Sequence, residues 1–225
     1  MYSHPISNPW GALPLDGPYI LGDDASLVDN HNNKAQPNKR YDLSLLPEPY
    51  FGSPLAPVIL LALNPGHGVG DAELHSQGWF KKMARESLMH QLWPYPFLHL
   101  QPQSATDGGL WWQRITKELI STVGFDLVSK GIFCVEYFPY HSIEFGSPGL
   151  QVPSQQYSFE LVRAGLRRGA EVVLMRSSRL WLSAIPELID YPFLHKIKNP
   201  RNPTLSSKNL ANGHSVLINR LMNNS

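Results

Sequence analysis

The stretch PVILLALNPGHGVGD, residues 57–71, decides how the rest of the chain is read. Val58 to Leu63 is a short run that is apolar on both faces and bounded by Pro57 and Pro65. That is the pattern of a central strand in a parallel sheet. The run ends on Asn64, Pro65 and Gly66, then continues through His67, Gly68, Val69 and Gly70. A loop with so few side chains, placed at the end of a buried strand, lets a ligand approach the backbone closely, and Asn64 adds one fixed polar group. Asn-Pro-Gly is equally the composition of a plain turn, so its chemistry depends on what lies beside it.

Outward from this strand, residues 1–50 are rich in Pro, Asn, Asp and Gly, with DNHNNKAQPNKR as the most polar patch. They are expected to form an irregular arm on a domain spanning 51–225, with Trp10 and Tyr19 arguing against full disorder. Apolar groups at helical spacing predict helices over 79–92, 110–123, 158–169, 179–188 and 208–222, while GIFCVEYF (131–138), AEVVLMRS (170–177) and HKIKN (195–199) read as further strands. Strands alternating with helices define an α/β fold, a three-layer α/β/α sandwich around a mostly parallel sheet of about four strands. Ligands of such sheets collect beyond the carboxyl ends of the strands, which groups 64–71, 136–142 and 199–206 as candidate site segments.

Composition narrows the function. The 225 residues, 42% apolar and 11% aromatic, suffice for one sizeable core. With 19 basic and 18 acidic residues the formal charge is +1, so no global field draws the chain to nucleic acid or membrane. A lone cysteine, Cys134, excludes an internal disulfide and a Cys-rich zinc site and suits a reducing cytoplasm. The first residues have neither a basic start nor a continuous apolar segment, and no run reaches the ~18 apolar residues of a membrane span, so a cytoplasmic protein is expected. His67, His75 and His90 form no recognised metal spacing, and ALNPGHGVGD is neither a Walker loop nor a dinucleotide fingerprint. No Gly-x-Ser-x-Gly elbow is present either. Neither a metal nor an organic cofactor is expected.

Four segments, taken in order, resemble the uracil-DNA glycosylase superfamily: LALNPGHG, KGIFCVEYFPYHS, EVVLMRSSRLWLSAI and NPRNPTLSSKNL. Ala62 stands where the family's first motif usually has Gly, and the Asn-Pro-Gly form is most similar to the mismatch-specific and single-strand-selective branches. The lead-in LPEPYFGSPLAPVILLALNPG resembles bacterial members, and the likeness covers about residues 50–222.

The resemblance implies a monofunctional glycosylase acting on a damaged or deaminated base, with DNA or a free nucleobase as partner and a monomer as the working form. Asn64 then takes the water-positioning place. An amide orients water through its carbonyl but is no strong base. Gly66 leaves room beside the base, and Trp79 or Phe80 supplies the aromatic face on which an extruded base stacks. Glu136 stands in the base-reading position usually held by Asn. As a carboxylate it accepts hydrogen bonds only, which suits guanine or protonated cytosine better than uracil; a shifted register would give the reading to Tyr137 or Tyr140. His67 and His141 lie in candidate loops as an acid or a phosphate contact, His67 being grouped with the base-binding residues. In the last motif Asn199 is the donor to the departing base, or Asn202 in the alternative register, with Arg201 in the usual Ser position. Leu205 resembles the wedge that fills the gap left by the base. Arg201, Asn202, Ser206 and Lys208 make up the expected DNA contacts. The competing expectation is a non-catalytic nucleic-acid or nucleobase-binding protein on the same fold.

Overall fold

The run 58–63 forms the centre of the sheet, as its two-sided apolar character requires. The strands are β1 (Tyr50–Gly52), β2 (Val58–Leu61), β3 (Ile132–Val135), β4 (Glu171–Leu174) and β5 (Leu194–Lys196), in the spatial order β1-β3-β2-β4-β5. They belong to a computed structural model that describes residues 7–102, 106–146 and 149–223; residues 1–6 of the expected arm and 224–225 of the expected domain lie outside the described residues. β2 pairs in parallel with β3 and β4, and β4 with β5, while β1 runs antiparallel to β3. The α/β class and mostly parallel sheet are those expected, but among the described residues the sheet has five strands where about four were expected. The extra one is the antiparallel edge strand β1, only three residues long and ended by Gly52 at φ 103°, where a Cβ would lie 2.2 Å from the Ile132 carbonyl oxygen.

Every residue of β2, β3 and β4 is buried, so both faces of the sheet are covered by helices, as in a layered sandwich. The helices are α1 (Gly22–Lys34), α2 (Asp71–Ser76), α3 (Gly78–Leu88), α4 (Asp107–Val123), α5 (Phe125–Gly131), α6 (Gln155–Arg167), α7 (Ser178–Ala184), α8 (Ser207–Leu210) and α9 (Asn212–Met222). The helix expected over 208–222 is broken into α8 and α9 by Ala211, whose φ of 48° no continuous helix permits. α6 sits so close to the sheet that a Cβ at Gly165 would lie 2.1 Å from Ile59 Cδ1. Among the described residues no helix is long and apolar enough to cross a membrane.

The arm is not irregular throughout. It contains α1, with Asp23 and Asp24 in its first turn and His31 and Lys34 in its last, the arrangement that complements the helix dipole. Trp10, Leu13, Tyr19, Leu21 and Val28 are buried in the same core as the sheet. Asp24, itself fully buried, accepts hydrogen bonds from the Tyr140 hydroxyl at 2.7 Å and the Ser154 backbone N–H at 3.1 Å. The arm is thus bonded into the body of the protein.

Register places the site. Leu61 stands level with Val135 on one side and Leu174 on the other, so Ala62, Glu136 and Met175 leave the sheet together at its carboxyl edge.

Candidate functional site

Beyond that edge lies a cavity of about 690 Å³, lined by Ala62 to Gly68, Glu136, His141 to Phe145, Met175 and Arg176, with Glu48, His75, His99, Asp107, Trp111 and Trp112 among its other walls. Its size falls within the ~300–1,000 Å³ typical of small-molecule clefts. Five of the expected site residues meet here: Asn64, Gly66, His67, Glu136 and His141.

The Asn64 amide nitrogen donates to the Pro65 carbonyl oxygen at 3.0 Å and to Ser142 Oγ at 2.9 Å. Both bonds fix the side chain, and they leave Oδ1 without a protein partner among the described residues. A Cβ built at Gly66 meets nothing within 4 Å, so the loop is open at that point. His67 Nε2 lies 2.9 Å from Asp42 Oδ2, a contact in which the ring N–H donates to the carboxylate. Burial pushes the Asp42 carboxyl up, but hydrogen bonds from Ser44 and the neighbouring His67 bring it below its ordinary value.

Glu136 and Glu48 sit on one wall in opposite states. The Glu136 N–H donates to the Pro49 carbonyl at 2.9 Å, and the Glu48 N–H to that of Pro139 at 2.9 Å, so pairing of β1 with β3 continues past the strands and brings the two acids together. The Glu48 carboxyl falls to about 2: burial opposes this, but the charges and hydrogen bond of His99, with His141 and His75 nearby, prevail. His99 Nε2 donates to Glu48 Oε2 at 2.8 Å, and Glu48 outweighs burial to raise the ring's pKa. Glu136 goes the other way, to about 8, through burial and then the repulsion of Glu48, with Arg176 and the Leu63 amide opposing. Its Oε2 is buried without a partner. A carboxyl held neutral has an O–H donor as well as an acceptor oxygen, so the expectation that Glu136 only accepts is corrected by its surroundings. Tyr137 and Tyr140, the residues of the shifted-register alternatives, do not line the cavity. Tyr140 is fully buried and bonded to Asp24, and Tyr137 packs against Phe159 and Trp181.

Glu48, His75 and His141 present donor atoms within 4.8 Å of one another, close enough for a metal ion. The ring nitrogens of the two imidazoles are already committed. His75 Nδ1 accepts from the Leu46 N–H at 2.9 Å, which leaves the proton on Nε2, and His141 has a backbone carbonyl oxygen at each ring nitrogen, Gly66 at 2.6 Å and Leu46 at 3.0 Å. An ion needs an unprotonated nitrogen facing it. The cluster therefore reads as a hydrogen-bonded brace between the Leu46 segment and the Asn64 loop, with His75 lowered to about 4 by burial.

The remaining expected residues lie elsewhere. Phe80 is a core residue, buried against His75, and Trp79 is half exposed beside it; neither lines the cavity, whose aromatic walls are Phe51, Trp111, Trp112 and Phe145. Asn199 is exposed, its Oδ1 accepting from the Arg201 N–H at 3.2 Å, and it is no part of the cavity wall. Asn202 accepts from Arg114 Nη1 at 2.8 Å on the outer surface. Leu205 is fully buried and so is a core residue, not a wedge. Arg201 and Lys208 are exposed, and Ser206 Oγ bonds Thr204 Oγ1 at 3.1 Å. Of the loop 199–206 only Pro203 reaches the cavity.

Sequence reasoning missed Glu48, His99, Asp42 and Arg176. The one signal for Glu48 was an acid framed by Pro47 and Pro49 within an otherwise apolar lead-in. No family model matches the chain, and no curated protein or solved structure matches it either.

Proposed function

We propose that the cavity takes up a nucleobase and that the protein hydrolyses the N-glycosidic bond of a damaged or deaminated base in DNA. Breaking that bond makes the sugar cationic and the base anionic, so it calls for a placed water on one side and hydrogen-bond donors on the other. The supporting observation is that Asn64, pinned through its amide nitrogen with Oδ1 left over, shares one cavity with Glu136. Asn64 Oδ1 would orient the water. The aromatic walls at Trp111 and Phe145 would take the stacking role in place of Phe80. The proposal includes a cytoplasmic monomer that needs no cofactor, in keeping with a single buried thiol.

Oligonucleotides bearing uracil, hypoxanthine, xanthine or an alkylated base, single- and double-stranded, test this by alkali-labile abasic sites. At least one is expected to be cut, and Asn64→Ala to slow it by ~100-fold or more. Absence of abasic product from all of them would overturn the proposal.

A second possibility, binding without cleavage, is favoured by one specific observation: Leu205 is buried and Asn199 stands off the cavity, so the expected duplex-handling parts are not at the mouth. Titration with labelled single and double strands separates the two, since binding that survives Asn64→Ala without any cleavage supports this alternative.

A further inference from the structure

We propose that Glu136 is the general acid of this site, giving its carboxyl proton to the departing base while Glu48 remains an anion that positions that proton. The inference rests on the glycosylase function proposed above. It differs from a purely hydrogen-bonding role for the strand-end residue, because a bond breaks and a proton moves.

The geometry carries it. Glu136 is 6% exposed and lines the cavity, so what remains accessible of its side chain opens on the ligand space. Its Oε2 is buried without a hydrogen-bond partner among the described residues, and Arg176 and the Leu63 amide compensate a negative charge there only in part. Glu48, 5% exposed, has its Oε2 taken by His99 and its Oε1 unpartnered. Of the two buried carboxyls on this wall only Glu48 is bonded to an imidazole, that of His99, while Glu136 has Arg176 nearby without a hydrogen bond to it among the described residues. The charged and titratable groups facing Glu136 are Glu48 from the lead-in to β1, Arg176 beyond β4 and Cys134 on its own strand, with the imidazoles of His75, His99 and His141 behind Glu48. Paired acids pushed apart in this way mark an acid and a fixed anion.

The C1′–N bond breaks with its electron pair going to the base, and a base nitrogen or carbonyl oxygen takes the Glu136 proton. Water held at Asn64 Oδ1 adds to C1′, and its released proton returns to the Glu136 carboxylate. The products are free base and a sugar hydroxyl.

Two measurements on the intact chain test this. Carbon NMR of protein labelled at the Glu side-chain carboxyls follows Glu136, identified by its loss in Glu136→Gln. It is expected to remain protonated at pH 7, with its titration moving down in Glu48→Gln and up in Arg176→Leu. A Glu136 already ionised at pH 6 overturns the proposal, and Arg176→Leu keeps the coupling readable should Glu48→Gln not fold. Base release is then compared from single strands carrying uracil or 5-fluorouracil, whose fluorine makes the departing base less dependent on a proton. Glu136→Gln is expected to slow uracil release by ~100-fold or more and 5-fluorouracil release far less. Equal losses on both reduce Glu136 to a positioning residue and overturn the acid role. Release by the wild type that is untouched by Glu136→Gln sinks the acid alone, whereas no release from any substrate sinks the glycosylase function with it.

Discussion

Glu136 and Glu48 are chemically identical residues driven to opposite charge states by their neighbours. The Glu136 pKa, raised from 4.5 to about 8, means that its contribution to stability is fully present below pH 4.5 and is lost as pH rises towards 8. Glutamine reproduces the neutral acid without titrating. Glu136→Gln is therefore expected to melt with the wild type near pH 4.5 and several degrees above it at pH 8.5, on the scale of about 2–4 °C per kcal/mol for a chain of this length. Equal melting temperatures at both pH values would show that Glu136 is ionised in the fold. Glu48 behaves in the reverse sense. Removing its charge strands the buried His99 imidazolium, so Glu48→Gln is expected to cost up to about 3–5 kcal/mol at pH 6 in urea unfolding, and less as pH rises past the raised folded value of the ring. A cost independent of pH would mean that His99 carries no charge. Asn64 and Glu136 were legible in the sequence because each is the first polar residue after an apolar strand. Glu48 and His99 were not, since Glu48 meets His99 across 51 residues of chain and Glu136 through an antiparallel contact across more than 80, and nothing local encodes either.

Among the elements, those with a long or two-sided apolar pattern were legible and those held by distant contacts were not. β2, α4 and α6 follow from periodicity alone, because each buries a continuous apolar face. β1 has three residues between prolines and is a strand only because β3 offers it a partner. α1 lies in the most polar part of the chain, and Asp24 and Val28 are the only two residues it buries fully among those described. The loop 199–206 is the instructive failure. Its Asn-Pro pairs suggested a functional rim, but the Leu205 N–H bonds the Ile115 carbonyl of α4 at 2.9 Å and the side chain is fully buried. Leu205→Ala is thus expected to cost about 2–5 kcal/mol, as deletion of a buried leucine does. A wedge acting on nucleic acid would instead leave unfolding unchanged and weaken only binding, so a denaturant titration without any ligand separates the two.

For the molecule as a whole, these buried groups set an optimum pH for stability. His75 and His90 are both lowered from 6.5 to about 4 by burial, so each contributes stability that is present above pH 6.5 and lost as pH falls to 4. Between pH 4.5 and 6.5 the two rings outweigh the opposite drift of Glu136, and stability rises with pH. Above pH 6.5 the rings no longer differ between folded and unfolded chains. Glu136 then goes on losing its contribution, and His99, raised by Glu48, loses its own as pH passes the folded value, so stability falls. A maximum near pH 6.5 is the expected outcome of chemical unfolding measured from pH 4 to 9. His90→Phe sharpens the test, because the ring stacked 4.6 Å from Tyr50 is kept while one of the two protonation sites is removed. The acid limb should become shallower in that variant and the alkaline limb stay as it was. A maximum at or below pH 5, or an acid limb indifferent to His90, would show that these imidazoles are not held neutral by the core.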